Sequence, residues 1–140
     1  MQLTKHTDIS LRVLMHLATF PDELGTVKDI AERYNVSRNH LVKVVHRLSS
    51  LGYLDSMQGR GGGIALAMEP EDIVVGDVVR NMEATLDVID CAAGNCPLLP
   101  KCLLKRALGE ATDAFLETLD NYTIADLTKN RDDLIKLVGT

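Results

Sequence analysis

Tryptophan is absent from this sequence and aromatic residues make up only 4% of it, although 46% of its residues are hydrophobic. Its core must therefore be built from aliphatic side chains. Long apolar runs are missing too. Nothing approaches the roughly 18 to 20 residues that a membrane-spanning helix needs. The opening MQLTKHTDISLRVLMHLATF has neither a cationic leader region nor a small-residue cleavage site. A cytoplasmic protein with no membrane partner is expected. Low-complexity tracts and internal repeats are also lacking, and the 25% charged fraction is that of an ordinary globular chain. No nucleophile–base spacing and no cofactor loop stands in the sequence, so an enzyme is not expected. At 140 residues there is room for one core and an appended helix.

Positive charge is in deficit, with a net charge of −5. That sum conceals a segregation, because residues 1–35 carry −1, residues 36–68 carry +3 and residues 69–140 carry −7. A local basic stretch, and not a basic whole, is what contact with phosphates requires.

What is present begins with helical periodicity. Leu11, Leu14, Met15 and Ala18 recur at i, i+3, i+4 and i+7, which predicts an amphipathic helix from about residue 8 to 19, ended by Pro21. Thr26 reads as the N-cap of a short helix with Val27, Ile30, Ala31 and Tyr34 on one face. Asn35 suits a left-handed turn, Ser37 caps a third helix bearing Leu41, Val44, Val45 and Leu48, and Gly52 stops it. Two short helices joined by such a turn form a helix-turn-helix. The following YLDSM, QGRGGG and IALAM read as a hairpin, and a hairpin in that place is a wing. After Pro70, a further helical stretch has Val74, Val75, Val78, Val79 and Met82 on its apolar side. From about residue 101 to 127 one long helical pattern is expected, with Leu104, Ala107, Leu108, Ala111 and Phe115 in its stripe and Ala114, Leu116, Leu119 and Leu127 widening it. A helix so apolar in so small a chain calls for a partner subunit. The fold class expected is mainly α with a small β-hairpin: a winged helix-turn-helix plus a long C-terminal dimerisation helix.

Opposite the apolar row, the third helix displays Arg38, Asn39, His40, Lys43, His46 and Arg47. A recognition helix enters the major groove of double-stranded DNA N-terminus first, which aims Arg38 and Asn39 at base edges. Arg pairs bidentately with guanine and Asn with adenine. Lys43 and Arg47, a turn further on, suit phosphates, and Lys28, Ser37 and His40 complete the expected contact set. Alone, such a helix would read as a solvated face; the preceding helix, the turn and the wing favour DNA. The Gly59–Arg60–Gly61–Gly62–Gly63 run lacks the Lys-Ser/Thr pair and strand-to-helix setting of a nucleotide loop. As a wing tip it lets Arg60 enter a narrow minor groove.

Three cysteines fall within CAAGNCPLLPKC at residues 91–102, a C-x4-C-x5-C spacing. In a reducing compartment, an odd number of clustered thiols reads as metal ligands more readily than as disulfides. Structural zinc uses closer pairs and a second pair elsewhere, so zinc is a poor fit, with free thiols the remaining alternative. Thiolates on a loop with small residues at Ala92, Ala93, Gly94 and Asn95 suit an iron–sulfur cluster; the loop does not separate [4Fe-4S] from [2Fe-2S], and [4Fe-4S] is the expectation. Cys91, Cys96 and Cys102 leave one iron position to a non-cysteine group. No His lies near them in sequence; His6 and Asp8 are the candidates, Asp8 serving equally well as a helix cap.

With these residues in place, the sequence resembles the NsrR-type nitric oxide-sensing repressors, a branch of the winged-helix superfamily that also contains the IscR iron–sulfur regulators. The resemblance is carried by MQLTKHTDISLRVL, YNVSRNHLVKVVHRLSSLGY, GRGGGIAL, GDVVRNME, the three cysteines and FLETLDNYTIADL. It implies a homodimer on an inverted-repeat operator, one cluster per subunit, and repression of nitric oxide detoxification genes. It further implies Cys91, Cys96 and Cys102 as ligands, with Asp8 as the fourth from the other subunit. IscR-type chains carry a His three residues after the last Cys, where this sequence has Lys105. That departure favours the nitric oxide branch over a regulator of the same superfamily answering to redox state or iron supply. A zinc-stabilised DNA-binding protein is the other alternative. The domains are expected at 1–70 for DNA binding and 71–140 for the cluster loop and dimerisation helices.

Overall fold

The structure, a computed structural model, describes residues 1–92 and 94–139. Helix α1 spans Lys5–Thr19 and starts earlier than its periodicity suggests, because Thr4 is the cap: its backbone is extended and its side chain accepts the Thr7 N–H. Asp8 therefore sits in the first turn and is not the cap. Its Oδ1 instead receives the Arg12 Nε–H at 3.0 Å.

Helices α2 (Val27–Tyr34) and α3 (Arg38–Ser50) begin at Thr26 and Ser37, each accepting a backbone N–H three residues on. The turn between them passes through Asn35 at φ 52°, where a short polar side chain tolerates the left-handed conformation. After α3, Gly52 at φ 85° reverses the chain into strand β1 (Leu54–Met57), which pairs antiparallel with β2 (Gly63–Leu66), Leu54 opposite Leu66 and Met57 opposite Gly63. The hairpin is fastened at its base, since Ile64 exchanges both backbone hydrogen bonds with Gly25 at 2.8 and 2.9 Å. Gly63 permits that approach; a Cβ there would lie 2.5 Å from the Gly25 carbonyl oxygen.

A 3-10 turn at Pro70–Asp72 leads to α4 (Val75–Met82), and α5 covers Leu103–Leu119. The long helix expected to run to residue 127 is broken. At residues 120–123 the chain turns, and α6 (Ile124–Leu127) restarts from a capping box in which Thr123 and Asp126 satisfy each other's backbone N–H. The break is tertiary in origin: Val75 donates to the Tyr122 carbonyl and Ile124 to the Ile73 carbonyl, both at 2.9 Å. Ile124 is thereby drawn fully into the core. A last helix, α7 (Arg131–Val138), was not anticipated; Arg131 donates to the Thr19 carbonyl and Arg33 to that of Val138, closing it over the end of α1.

The core is aliphatic, as the composition requires. Val13, Leu14, Leu41, Val44, Leu48, Ile73, Val78 and Ile124 are fully buried in one cluster drawn from α1, α3, α4, α6 and the segment just before α4. Each buried Leu or Ile contributes about 1.5–3 kcal/mol. This cluster holds α3 with its polar side outward.

Candidate functional site

The candidate reading face is built from α3. Leu41, Val44, Val45 and Leu48 turn inward, leaving Arg38, Asn39, Lys43, His46 and Arg47 exposed together on the opposite side. Lys28 on α2 and Arg60 at the hairpin tip are exposed as well, and Ser37 spends its hydroxyl on the cap. Among the described residues, none of Lys28, Arg38, Lys43, Arg47 or Arg60 forms an ion pair. The cations are thus free to meet phosphates. His40 differs from this set: it is half-buried and stacks on His6 of α1, ring centroids 5.9 Å apart and 15° from parallel. Burial, with His40 and Arg47 nearby, holds His6 below the usual imidazole range. Within the same exposed face stands Val42, 53% exposed, which periodicity had given no reason to single out.

The start of α1 is anchored by a residue that sequence reasoning missed. Glu83, immediately after α4, accepts the Thr4 N–H at 3.1 and 3.2 Å and the hydroxyls of Thr4 and the buried Thr7. Burial works against its charge, but these donors prevail and hold the carboxyl below the ordinary range. Thr4 and Glu83 are 79 positions apart, so no local pattern signals the pair.

From Glu83 the chain runs into the cysteine segment between α4 and α5. All three thiols are free, Cys96 exposed, Cys91 and Cys102 partly so. Cys102 is the N-cap of α5 and its Sγ accepts the Lys105 N–H at 3.4 Å, the kind of backbone donor that metal-bound sulfur uses. Ala92, Gly94 and Asn95 are exposed around the sulfurs; Ala93 lies outside the described residues. This donor set of thiols on a small-residue loop fits an iron–sulfur cluster. The structure does not itself bring the donors together. Among the described residues no three His, Cys, Asp or Glu side chains stand within reach of one metal ion. Asp8, on α1, is half-exposed beside an open groove lined by Gln2, Leu3, Lys5 and Leu11.

Helix α5 leaves its apolar stripe uncovered. Leu103 and Leu104 are 77% and 59% exposed, Ala107, Ala111 and Ala114 are exposed, and Leu116 is its one buried residue. No helix among the described residues is long and apolar enough to cross a membrane.

A model of the Rrf2 family, described as an iron-dependent transcriptional regulator, matches residues 3–130. The chain belongs to the Rrf2 family. Within it, this Rrf2 protein is 50% identical over 142 residues to the HTH-type transcriptional regulator NsrR of Bacillus subtilis, a match covering 99% of this chain and 97% of that one. It is 46% identical to the NsrR regulator of Shouchella clausii, over 99% and 95% of the two chains. Among solved structures, CymR, the global cysteine regulator of B. subtilis, superposes with a TM-score of 0.74 at 27% identity over 93% of this chain and 98% of that one. IscR of T. potens gives 0.75 at 27% identity over 93% and 88%. The Rrf2 chain is accordingly a winged-helix, DNA-binding transcriptional regulator of NsrR type, and its relatives are regulators and not enzymes.

Proposed function

We propose that this regulator is a homodimeric repressor that releases inverted-repeat operators when nitric oxide attacks an iron–sulfur cluster held by Cys91, Cys96 and Cys102, and that it governs nitric oxide detoxification genes. The supporting observation is continuity. The segment that bears the three free thiols is continuous with Glu83, Glu83 grips Thr4 and Thr7, and His6 between them stacks on His40 of α3. Residues 1–70 serve DNA binding in this reading, and residues 71–140 provide the cluster loop and the dimer surface.

When bound, the cluster supplies iron with one weakly held, non-cysteine position, open to a diatomic ligand. Asp8 is the proposed protein ligand at that position, donated by the second subunit; [4Fe-4S] is favoured over [2Fe-2S], one per subunit. The chain's own residues do the rest. The uncovered stripe of α5 meets its copy and sets the distance between two copies of α3, so that half-sites fall about one helical turn, ~10 to 11 bp, apart. Arg38 and Asn39 address bases, and His40, Lys43, Arg47, Lys28, Ser37 and Arg60 position the duplex. As a ligand, Asp8 would fix α1 across the dimer, and α1 packs under α3. A 100-fold loss of affinity requires only ~2.7 kcal/mol of coupling.

Asp8→Asn tests the ligand assignment. Thr4 is the cap, so the substitution leaves helix initiation intact and removes an exposed i,i+4 pair worth about 0.3–0.5 kcal/mol. The expected result is a coloured protein with an altered spectrum and a changed response to nitric oxide. A silent Asp8→Asn beside a His6→Ala protein whose visible spectrum is altered would move the ligand to His6. Iron and sulfide content per subunit decides the nuclearity.

A further inference from the structure

We propose that Val42 reads a thymine methyl group in the major groove, an inference that rests on the DNA-reading face of α3 described above. Val42 is the exception on its helix. The other apolar residues of α3, Leu41, Val44, Val45 and Leu48, are at most 8% exposed, whereas Val42 is 53% exposed. At about 100° per residue it lies roughly 40° from Arg38 and 40° from His46, and about 60° from Asn39. It is thus inside the arc of side chains that faces away from the core, among polar neighbours on the helix and more than half exposed.

Such a residue is unfavourable in the free protein. A β-branched side chain is a weaker helix former than the straight-chain polar residues that suit exposed positions, and its methyls stand in water. Burial on binding repays both. The partner must be one that also accepts Arg38, Lys43 and Arg47, which have no carboxylate of their own. A polyanion meets that condition; the dimer proposed above would instead use the uncovered stripe of α5, a separate surface. Among base edges in the major groove, the C5-methyl of thymine is the apolar feature. Valine in a helix has one dominant rotamer, so its two γ-methyls are presented rigidly, as discrimination of a single methyl requires. One helical turn separates it from Arg38, about 5 to 6 Å, or one to two base steps at ~3.4 Å. The thymine therefore lies one or two base pairs from the base that Arg38 contacts.

The test uses anaerobically purified full-length protein and a half-site selected from random duplexes, with each thymine replaced in turn by deoxyuridine, which lacks only the methyl. Wild-type protein should lose about three- to five-fold in affinity at one thymine per half-site. Val42→Ala should bind thymine and uracil equally there, and Val42→Thr, which keeps one γ-methyl, should retain part of the difference. Because Val42 supports no core contact and Ala is the better helix former, Val42→Ala should melt at or slightly above the wild-type temperature and Val42→Thr close to it. Val42→Ala that keeps the full thymine preference, or the lack of any methyl-sensitive thymine, would overturn the inference while leaving the reading face standing. Failure to select any sequence would overturn that face itself.

Discussion

The rings of His6 and His40 stack at 5.9 Å and 15° from parallel, joining the first turn of α1 to the first turn of α3. Asp8 follows His6 by two residues, and Glu83 grips Thr4 and Thr7 on either side of it. Any displacement at the start of α1 therefore meets the recognition helix through this contact.

His6→Ala should weaken operator binding by roughly three- to ten-fold, the worth of one aromatic contact of about 0.5–1.5 kcal/mol. Affinity measured by fluorescence anisotropy, with melting temperature as the control, checks it. Unchanged affinity would show that the stack carries no information to α3.

The base and phosphate roles proposed for α3 can be separated by substitution. Asn39→Ala should flatten discrimination at one base pair by ~1 to 3 kcal/mol, whereas Lys43→Ala should weaken all sequences and lower the salt slope by about one. Titrations of operator and random duplex at several salt concentrations distinguish them. Equal effects of both substitutions on both duplexes would contradict the assignment.

The buried His16 shares a hydrogen bond with Tyr34 at 3.0 Å between α1 and α2. Burial, aided by Arg33, holds it below its ordinary value of 6.5, outweighing Asp29 and Glu23. The unfolded chain thus takes up a proton more readily than the folded one. The stabilisation is complete above about pH 6.5 and is lost as the pH falls through the folded value. Melting curves from pH 7.5 to 5 should fall more steeply for wild type than for His16→Gln. Parallel curves would contradict a neutral buried His16.

Gly63→Ala would place a Cβ 2.5 Å from the Gly25 carbonyl oxygen, where backbone cannot yield cheaply. The expected cost is about 1–3 kcal/mol, with the hairpin loosened from Gly25, just before the N-cap of α2. Thermal melts and hydrogen exchange at the Ile64 amide report it. Wild-type exchange at that amide would show that the hairpin's seat is not set by this contact.

The N-terminal half was legible because its signals are local. Thr26, Ser37, Asn35 and Gly52 each satisfy a nearby backbone requirement, and the structure uses all four as the sequence implies. The failures are of two kinds. Residues 101–127 share one apolar periodicity, but its continuation past Leu119 serves a different packing, with Ile124 buried against the segment before α4. The signal that would have divided it was present, since Thr123 and Asp126 stand at capping-box spacing. For α7, Asp132 and Asp133 at its start and Lys136 near its end were the available marks. The Glu83 anchor had no such mark, because its partners are set by folding alone. The cysteine spacing proposes a donor set, and the geometry of a shared site is not something that spacing contains.

The central claim is that the cysteine loop controls the reading face. Its most direct measurement is a single anaerobic titration of purified protein with nitric oxide, following visible absorbance and operator binding together. The account predicts a brown protein whose colour and operator affinity are lost in step, with Cys91→Ala, Cys96→Ala and Cys102→Ala colourless or unstable and unable to repress. A colourless, zinc-containing wild-type protein, or operator binding that persists after the colour is gone, would contradict it.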